Sequence, residues 1–438
     1  MIPSKTFETG SWRVGEALTA VFVLAYPFVT LAVRGGASAM MMTALALSLS
    51  ALMLRRSAPG TARVDEDPFD PLVKFMCIAL AGPLCATLAS ELWHGRFVLN
   101  LLDAPWRFLA AVPILLALRR MPLRALQWSD CSFAIGAIGA LAVAYVWPFN
   151  ESTRLRLPFL DSIHYGDIAL VMGLLSGLSI DWWRKDRLSI RLLKVVGLLA
   201  GLAASVLSGS RGGWLALPVI VPLVVYVYGR EKSRSWRIAV LLAMFFALIA
   251  VCAVSREVQH RLFDIWSDIV QYSHGHKDTS TGLRLQLYSA AISLTWHHPL
   301  FGAGPNGFAN AMPAFERSGA ITPAAAAVGY GEAHNQLLAD TANYGMIAGL
   351  AGIAVHFMPG WLFARHLKAR SHAVRGAAVL GLTFVVSFFV FGLTVETFDL
   401  KMVVSFYASI VAILAGIVIS PAASRATRFG NPSSINGA

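Results

Sequence analysis

The sequence predicts an all-α polytopic membrane protein, with about twelve transmembrane helices and one large loop that contains helices of its own. Three observations predict it. Apolar residues make up 56% of the 438-residue chain and charged residues only 14%, which is not the balance of a soluble domain. Apolar runs near the roughly 20 residues that cross a bilayer as a helix recur along nearly the whole chain. The runs are continuous rather than alternating, which argues against a β-barrel.

Taken in order, the runs place spans at 17–33, 37–54, 72–91, 106–118, 131–148, 165–181, 190–208, 212–228, 237–254, 334–357, 374–394 and 402–420. The first, from about Ala17, carries no cleavable-signal pattern and reads as an anchor. The shortest, 106–118, opens on Trp106-Arg107. The chain then divides into helices one to nine over 1–254, a loop domain over 255–333, helices ten to twelve over 334–420, and a polar tail over 421–438. Within the loop, "SREVQHRLFDIWSDIV" and "TGLRLQLYSAAISLTWHHP" have helical apolar spacing; Thr281 is placed to cap the second, and Pro299 follows its end.

Charge orients the spans. Alternate connections are rich in basic residues: Arg55, Arg56 and Arg63; Arg119, Arg120 and Arg124; Arg184, Lys185, Arg187, Arg191 and Lys194; Arg230, Lys232, Arg234 and Arg237; Arg365, Lys368, Arg370 and Arg375. The opposite set is poor: Arg34, Arg96, Arg154 and Arg156, Arg211, Lys401. By the positive-inside rule the rich set is cytoplasmic, as are both termini, and the long loop lies outside. The formal net charge of +12 is thus a matter of topology. Membrane lipids are expected partners and nucleic acid is not. Cys77, Cys85, Cys131 and Cys252 lie in or beside apolar runs without metal-ligand spacing and read as small core residues.

Three groups meet the outer boundary in this topology. Arg211 sits in "LSGSRGGWLAL", between Ser-Gly-Ser and Gly-Gly; Arg284 lies on the second loop helix; His334 stands in "GEAHNQLLAD", where the loop re-enters the membrane. Each alone has an ordinary reading: a snorkelling arginine, a solvated helix face, a structural histidine. Together they fit one chemistry. Two guanidiniums can clamp a pyrophosphate through forked, charge-assisted hydrogen bonds. Glycine-rich turns, here around Arg211 and in "FGAGPNGF" (301–308), let backbone approach phosphate. A histidine can take the proton of an attacking hydroxyl. Gly302, Gly304, Asn306, Asn335 and Asp399 are further substrate-binding candidates, and Glu396 joins Asp399 between the last two spans. No metal site is expected: "DED" at 65–67 falls in a cytoplasmic connection, and neither "SHGHKD" (273–278) nor His297-His298 has partners at tetrahedral spacing. No P-loop or nucleophile elbow is present.

"SGSRGGWLAL", "GLRLQLYSAAISLTWHHPLFGAGPNGF" and "EAHNQLLADTANYG" follow one another around a large external loop. In this the chain resembles the O-antigen ligase family, within the wider group of O-antigen polymerases and bacterial O-linked protein oligosaccharyltransferases. The motifs cover roughly 205–350; beyond them only span number and loop placement match. The resemblance implies a metal-independent, cofactor-free inverting glycosyltransferase of the bacterial inner membrane with a periplasmic active site. It would move a glycan from undecaprenyl pyrophosphate to a sugar hydroxyl of lipid A–core. Arg211 and Arg284 would bind the pyrophosphate, and His334 would act on the acceptor. Polymerase and protein oligosaccharyltransferase are the alternatives within the group; a lipid-linked sugar transporter fits less well, since transporters place charges at mid-membrane in paired broken helices.

Overall fold

A computed structural model of the chain describes residues 5–56, 71–146, 159–210, 212–229, 232–254 and 256–421. Its helices in chain order are α1 (Lys5–Ala32), α2 (Gly36–Arg56), α3 (Pro71–His94), α4 (Leu99–Leu102), α5 (Pro105–Leu118), α6 (Leu123–Leu126), α7 (Ser129–Val146), α8 (Ser162–Leu178) and α9 (Leu188–Leu207). A 3-10 turn (Gly212–Ala216) runs into α10 (Leu217–Tyr228), followed by α11 (Arg234–Val254), α12 (Arg256–Ser273), α13 (Ser280–His297), α14 (Gly307–Arg317), α15 (Pro323–Gly329), α16 (Gln336–His366), α17 (His372–Phe391) and α18 (Lys401–Val418). No strand occurs among the described residues.

Every expected span falls on a helix. Among the described residues nine helices are long and apolar enough to cross a membrane. Two shorter apolar helices, Ser162–Leu178 and Gly212–Tyr228, cover the sixth and eighth runs, and α11 covers the ninth. The chain is an all-α multi-pass membrane protein. Arg211, Arg63, Arg154, Arg156, Arg230, the "DED" of 65–67 and the tail from 422 lie outside the described residues.

The centre of the bundle is α18. It is apolar on all sides, and 94% of its span is buried, as befits a helix with no polar face to show to water. Ser405, Ala408, Ser409 and Ala412 let its neighbours approach closely. Two tyrosine hydroxyls tie it in: Tyr26 donates to the Ser405 carbonyl at 2.7 Å, and Tyr407 donates to the Val355 carbonyl of α16 at 3.0 Å.

The run read as one span at 334–357 is two helices. Gly345 breaks α16 with φ 82° and ψ 179°, a left-handed extended conformation open essentially to glycine. The chain folds back there. In a straight helix twelve residues cover about 18 Å, yet a Cβ placed on Gly352 would lie 2.9 Å from Oδ2 of Asp340. Backbone groups freed by such a break must find partners inside a membrane protein. The glycine-rich loop supplies them: the amides of Ala303 and Gly304 donate to the carbonyls of Ala342 and Asn343 at 2.9 and 2.8 Å, and the Met346 amide donates to the Pro299 carbonyl at 2.8 Å. The fold-back separates a short helix, Gln336–Tyr344, from the spanning helix that follows. Ala339 and Ala342 of that short helix pack into the same apolar cluster as Leu287, Leu294, Phe308 and Met312 of the loop helices.

The loop helix α13 starts where expected, but its cap is Thr279, whose side chain accepts from the Gly282 amide at 3.1 Å. Thr281 lies two residues later, within the first turn, its amide donating to Asp268 at 3.0 Å. Cys77, Cys85 and Cys131 are free.

At the end of α9 remote from Ser208, Lys194 is fully buried. Its ammonium donates to Asp130 of α7 at 2.7 Å, to Asp186 at 2.9 Å and to the Ser179 carbonyl at 2.7 Å. Its three N–H bonds are all used, and three chain segments are joined. Removing one partner from such a buried knot leaves uncompensated charge, at about 3–5 kcal/mol. Lys194→Met is therefore expected to lower the unfolding temperature in detergent sharply, and adding Asp130→Asn and Asp186→Asn to recover part of the loss. An unchanged melting temperature in the single variant would show the knot to be dispensable.

Candidate functional site

The site is assembled on the connection between α17 and α18, residues 392–400. Leu393 and Thr394 are its hub. The Tyr288 hydroxyl of α13 lies 3.2 Å from the Leu393 carbonyl and 3.1 Å from the His334 carbonyl. The Asn335 side chain donates to the same Leu393 carbonyl at 3.3 Å. On the other side Thr394 meets the turn that carries Arg211: a Cβ on Gly212 would lie 2.9 Å from its hydroxyl. Tyr288 is one helical turn after Arg284, so both point from one stripe of α13. Adjacent residues of one connection thus touch all three segments singled out in the sequence. Arg284 is half-buried and makes no hydrogen bond or ion pair among the described residues, where its only interaction is the field it exerts on Tyr288.

The Arg211 turn rests on α8. A Cβ on Gly213 would lie 2.2 Å from Oδ1 of Asp167, so only glycine allows this approach, and the Gly213 amide donates to that carboxylate. Asp167 is buried within α8, and its other oxygen has no hydrogen-bond partner. One turn earlier the His164 ring meets Asp161 at 2.6 Å through Nδ1 and the Glu396 carbonyl at 3.4 Å through Nε2. Asp161 also caps α8, accepting from the amides of Ile163 and His164 at 2.8 and 3.1 Å.

His334 stands just before Asn335, which caps the short helix Gln336–Tyr344 by accepting from the Leu338 amide at 3.1 Å. Its backbone is left-handed, with φ 56°, a conformation of some 1–3 kcal/mol for a bulky residue although His, Asn and Asp adopt it most readily. Its side chain is 20% exposed. The Glu332 carboxylate abuts Nδ1 as an ion-pair contact that lacks hydrogen-bond alignment, and Nδ1 has no other partner.

Of the glycine-loop candidates, Gly302 and Gly304 serve the fold. Their amides donate to the carbonyls of His298 and Asn343 at 3.0 and 2.8 Å, so neither is open to a phosphate. Asn306 differs. It is exposed, left-handed at φ 55°, and its side chain makes no cap hydrogen bond. With Asp399 it lines a cavity of about 200 Å³ that runs from the connection down the fold-back of α16. Among the described residues no group of three or more His, Cys, Asp or Glu has metal-holding geometry.

Sequence reading passed over Glu332, Tyr288, Asp161, His164, Asp167 and Asp340. Two carried a usable signal: Asp167 and Asp340 are carboxylates inside apolar runs, which mark function by default.

Glu396 accepts from the Ala333 amide and so fastens the chain just before His334. Burial above all, and then the nearby carboxylates of Glu332, Asp399 and Asp340, push its pKa from the usual range up to about 8, against the pull of the Ala333 amide. A carboxyl whose folded pKa is raised adds stability that is complete below its ordinary value of 4.5 and is lost as pH rises from there through about 8. The melting temperature is thus expected to fall through this window, and Glu396→Gln to flatten the fall while keeping an acceptor for Ala333. A wild-type profile level across it would contradict the assignment.

Comparison with known proteins bears on this region. Residues 196–354 match the family model described as O-antigen ligase. An uncharacterized protein of Haemophilus influenzae is 24% identical over 296 residues, 65% of this chain and 72% of that protein. An O-antigen ligase of Escherichia coli is 21% identical over 150 residues, 34% of this chain and 35% of that protein. The match supports a glycosyltransferase activity of the ligase/polymerase type. The resemblance read from the motifs holds over the stretch that folds into the site: residues 196–354, which contain Arg211, Arg284 and His334, match the O-antigen ligase family.

Proposed function

We propose that the chain is an O-antigen ligase, transferring a polysaccharide from undecaprenyl pyrophosphate to a sugar hydroxyl of lipid A–core at the periplasmic face of the bacterial inner membrane. The observation that carries the reading is the meeting of the Arg211 turn, the Arg284 helix and His334 on Leu393 and Thr394. The printed name of the Escherichia coli relative supports ligase over polymerase.

Arg211 and Arg284 would hold the two phosphates and neutralise the charge that develops as the bond from the anomeric carbon to the pyrophosphate oxygen breaks. This is the charge neutralisation a metal ion would otherwise supply, so none is required. His334 takes the acceptor proton as the hydroxyl oxygen attacks the anomeric carbon from the opposite face. The single displacement inverts the anomeric configuration. The charge of Glu332 beside Nδ1 favours the proton on that nitrogen and leaves Nε2 as the base; Glu332 is a positioning residue. Arg284, with no partner among the described residues, is free to take one from the substrate.

Arg211→Ala or Arg284→Ala should abolish transfer with membrane insertion intact, since loss of one such donor raises the barrier by about 3–4 kcal/mol. Lysine should rescue poorly, because it lacks the fork; full activity of the double lysine variant would remove the clamp from the mechanism. Purified enzyme in excess EDTA should keep its rate. A collapse restored by magnesium would refute metal independence and turn attention to Glu396 and Asp399. For His334 the informative variant is asparagine, which tolerates the left-handed backbone where alanine strains it. His334→Asn should lose roughly 100-fold or more in rate with donor binding unchanged. Retained activity would leave the imidazole as an anchor only. In a deletion strain, the lipopolysaccharide ladder should vanish while lipid-linked polymer accumulates; loss of the polymer itself would identify a polymerase instead.

A further inference from the structure

The fold-back of α16 leaves a cavity to which the steps described above assign no ligand. It is lined by both arms of α16, by Pro83 and Thr87 of α3, by Pro105 and Phe108 at the start of α5, by the loop helix α14 and by the connection 392–400. Its volume of about 200 Å³ would hold on the order of six waters at their share of the liquid. That is the scale of one sugar ring. Planar polar side chains line it: Glu332, Asp340, Glu396, Asp399, Asn306 and Asn343. Phe308 and Phe398 supply apolar wall. Among the described residues no lysine or arginine lines it.

The lining is graded. Asn306 and Asp399 are exposed at the mouth, and their side chains make no hydrogen bond among the described residues, so their full donor and acceptor capacity faces an entering molecule. Deeper in, Gln336 already holds Asp340 at 2.8 Å, and the Asn343 amide oxygen accepts from the Phe308 amide at 2.9 Å. These inner groups are fixed by the fold, which makes them a preformed surface rather than a mobile one. His334 stands in sequence between Glu332 and Gln336, both of which line the cavity.

Carboxyl and carboxamide groups accept and donate in one plane, matching adjacent hydroxyls of a pyranose, while aromatic edges meet the C–H face of the ring. Glu396, with its pKa pushed up to about 8, is neutral at neutral pH; the ionised carboxylates of the lining, with no cation beside them, oppose an anion on Coulomb grounds, most strongly where water is scarce. We propose that this cavity is the acceptor subsite, that it takes a neutral, hydroxyl-rich sugar ring, and that it rejects a phosphorylated one. The proposal rests on the glycosyl-transfer reading for the word acceptor; the sugar site itself does not.

The experiment separates the two. The full chain in lipid nanodiscs is titrated with methyl β-D-glucopyranoside and with glucose 6-phosphate, and binding is read by saturation-transfer difference NMR. The neutral sugar should bind and the phosphate bind roughly tenfold more weakly or not at all. Ala309→Trp, a half-buried lining position on α14, should block the mouth, and Asp399→Asn should remove one carboxylate without changing shape. Each should weaken the neutral sugar by roughly tenfold. In transfer assays Ala309→Trp should raise KM for the acceptor by a similar factor and leave KM for the lipid-linked donor within about twofold. Equal binding of the two probes, binding of neither, or an unchanged acceptor KM in Ala309→Trp with transfer otherwise intact would overturn the subsite and leave the transferase reading standing. A chain that binds methyl glucoside as described yet transfers no glycan would sink the transferase reading and keep the sugar site.

Discussion

The structure depends on one constraint: a backbone amide or carbonyl at membrane depth must have a partner. The break at Gly345 frees such groups, and the 299–304 loop satisfies them with its own backbone. That exchange fixes the glycine loop against α16, seats the short helix Gln336–Tyr344 in the core of the loop domain, and sets His334 at that helix's start. Without the break, the run would be one straight span. His334 would then stand at its tip with no loop domain packed against the following turns.

Around this device the site is held by backbone carbonyls rather than by paired charges. Leu393 accepts from Tyr288 and Asn335, and Gly392 accepts from the Gln336 amide at 2.8 Å. Anchors of this kind do not titrate and are insensitive to salt. They stand beside charged groups that also hold the fold, Asp161 pairing with His164 and Glu396 accepting from the Ala333 amide. The buried charges around Lys194 lie elsewhere and pair with one another.

Much of the architecture was legible in the sequence. The spans emerged from apolar runs; the short run 106–118 is the second part of a 20-residue stretch, Leu99–Leu118, and 212–228 is one of the two shorter apolar helices. The loop helices emerged from their spacing. What escaped was the fold-back at Gly345, since "DTANYGMIAGL" is as apolar across the break as on either side, and a glycine there fits a packed helix equally well. The same blindness hid Asp340, whose carboxylate makes sense only once the two arms of α16 enclose a cavity. At the site, motif order pointed to Arg211, Arg284 and His334 together. It could not separate Gly302 and Gly304, whose amides serve the α16 break, from Asn306, whose side chain is open. That distinction is one of hydrogen-bond partners, which a linear pattern does not record. Thr281 gives way to Thr279 as the cap for a like reason: either threonine suits a cap, and the backbone geometry at the helix start decides.

The account centres on a single place where pyrophosphate and acceptor meet, framed by the Arg211 turn, the Arg284 stripe of α13 and His334. The most direct measurement is the structure of the His334→Asn enzyme with undecaprenyl-pyrophosphate-linked glycan bound. The account predicts pyrophosphate oxygens within hydrogen-bond reach of both guanidiniums and the anomeric carbon turned toward residue 334. Pyrophosphate seated away from Arg284, with that side chain still unpartnered, would contradict it.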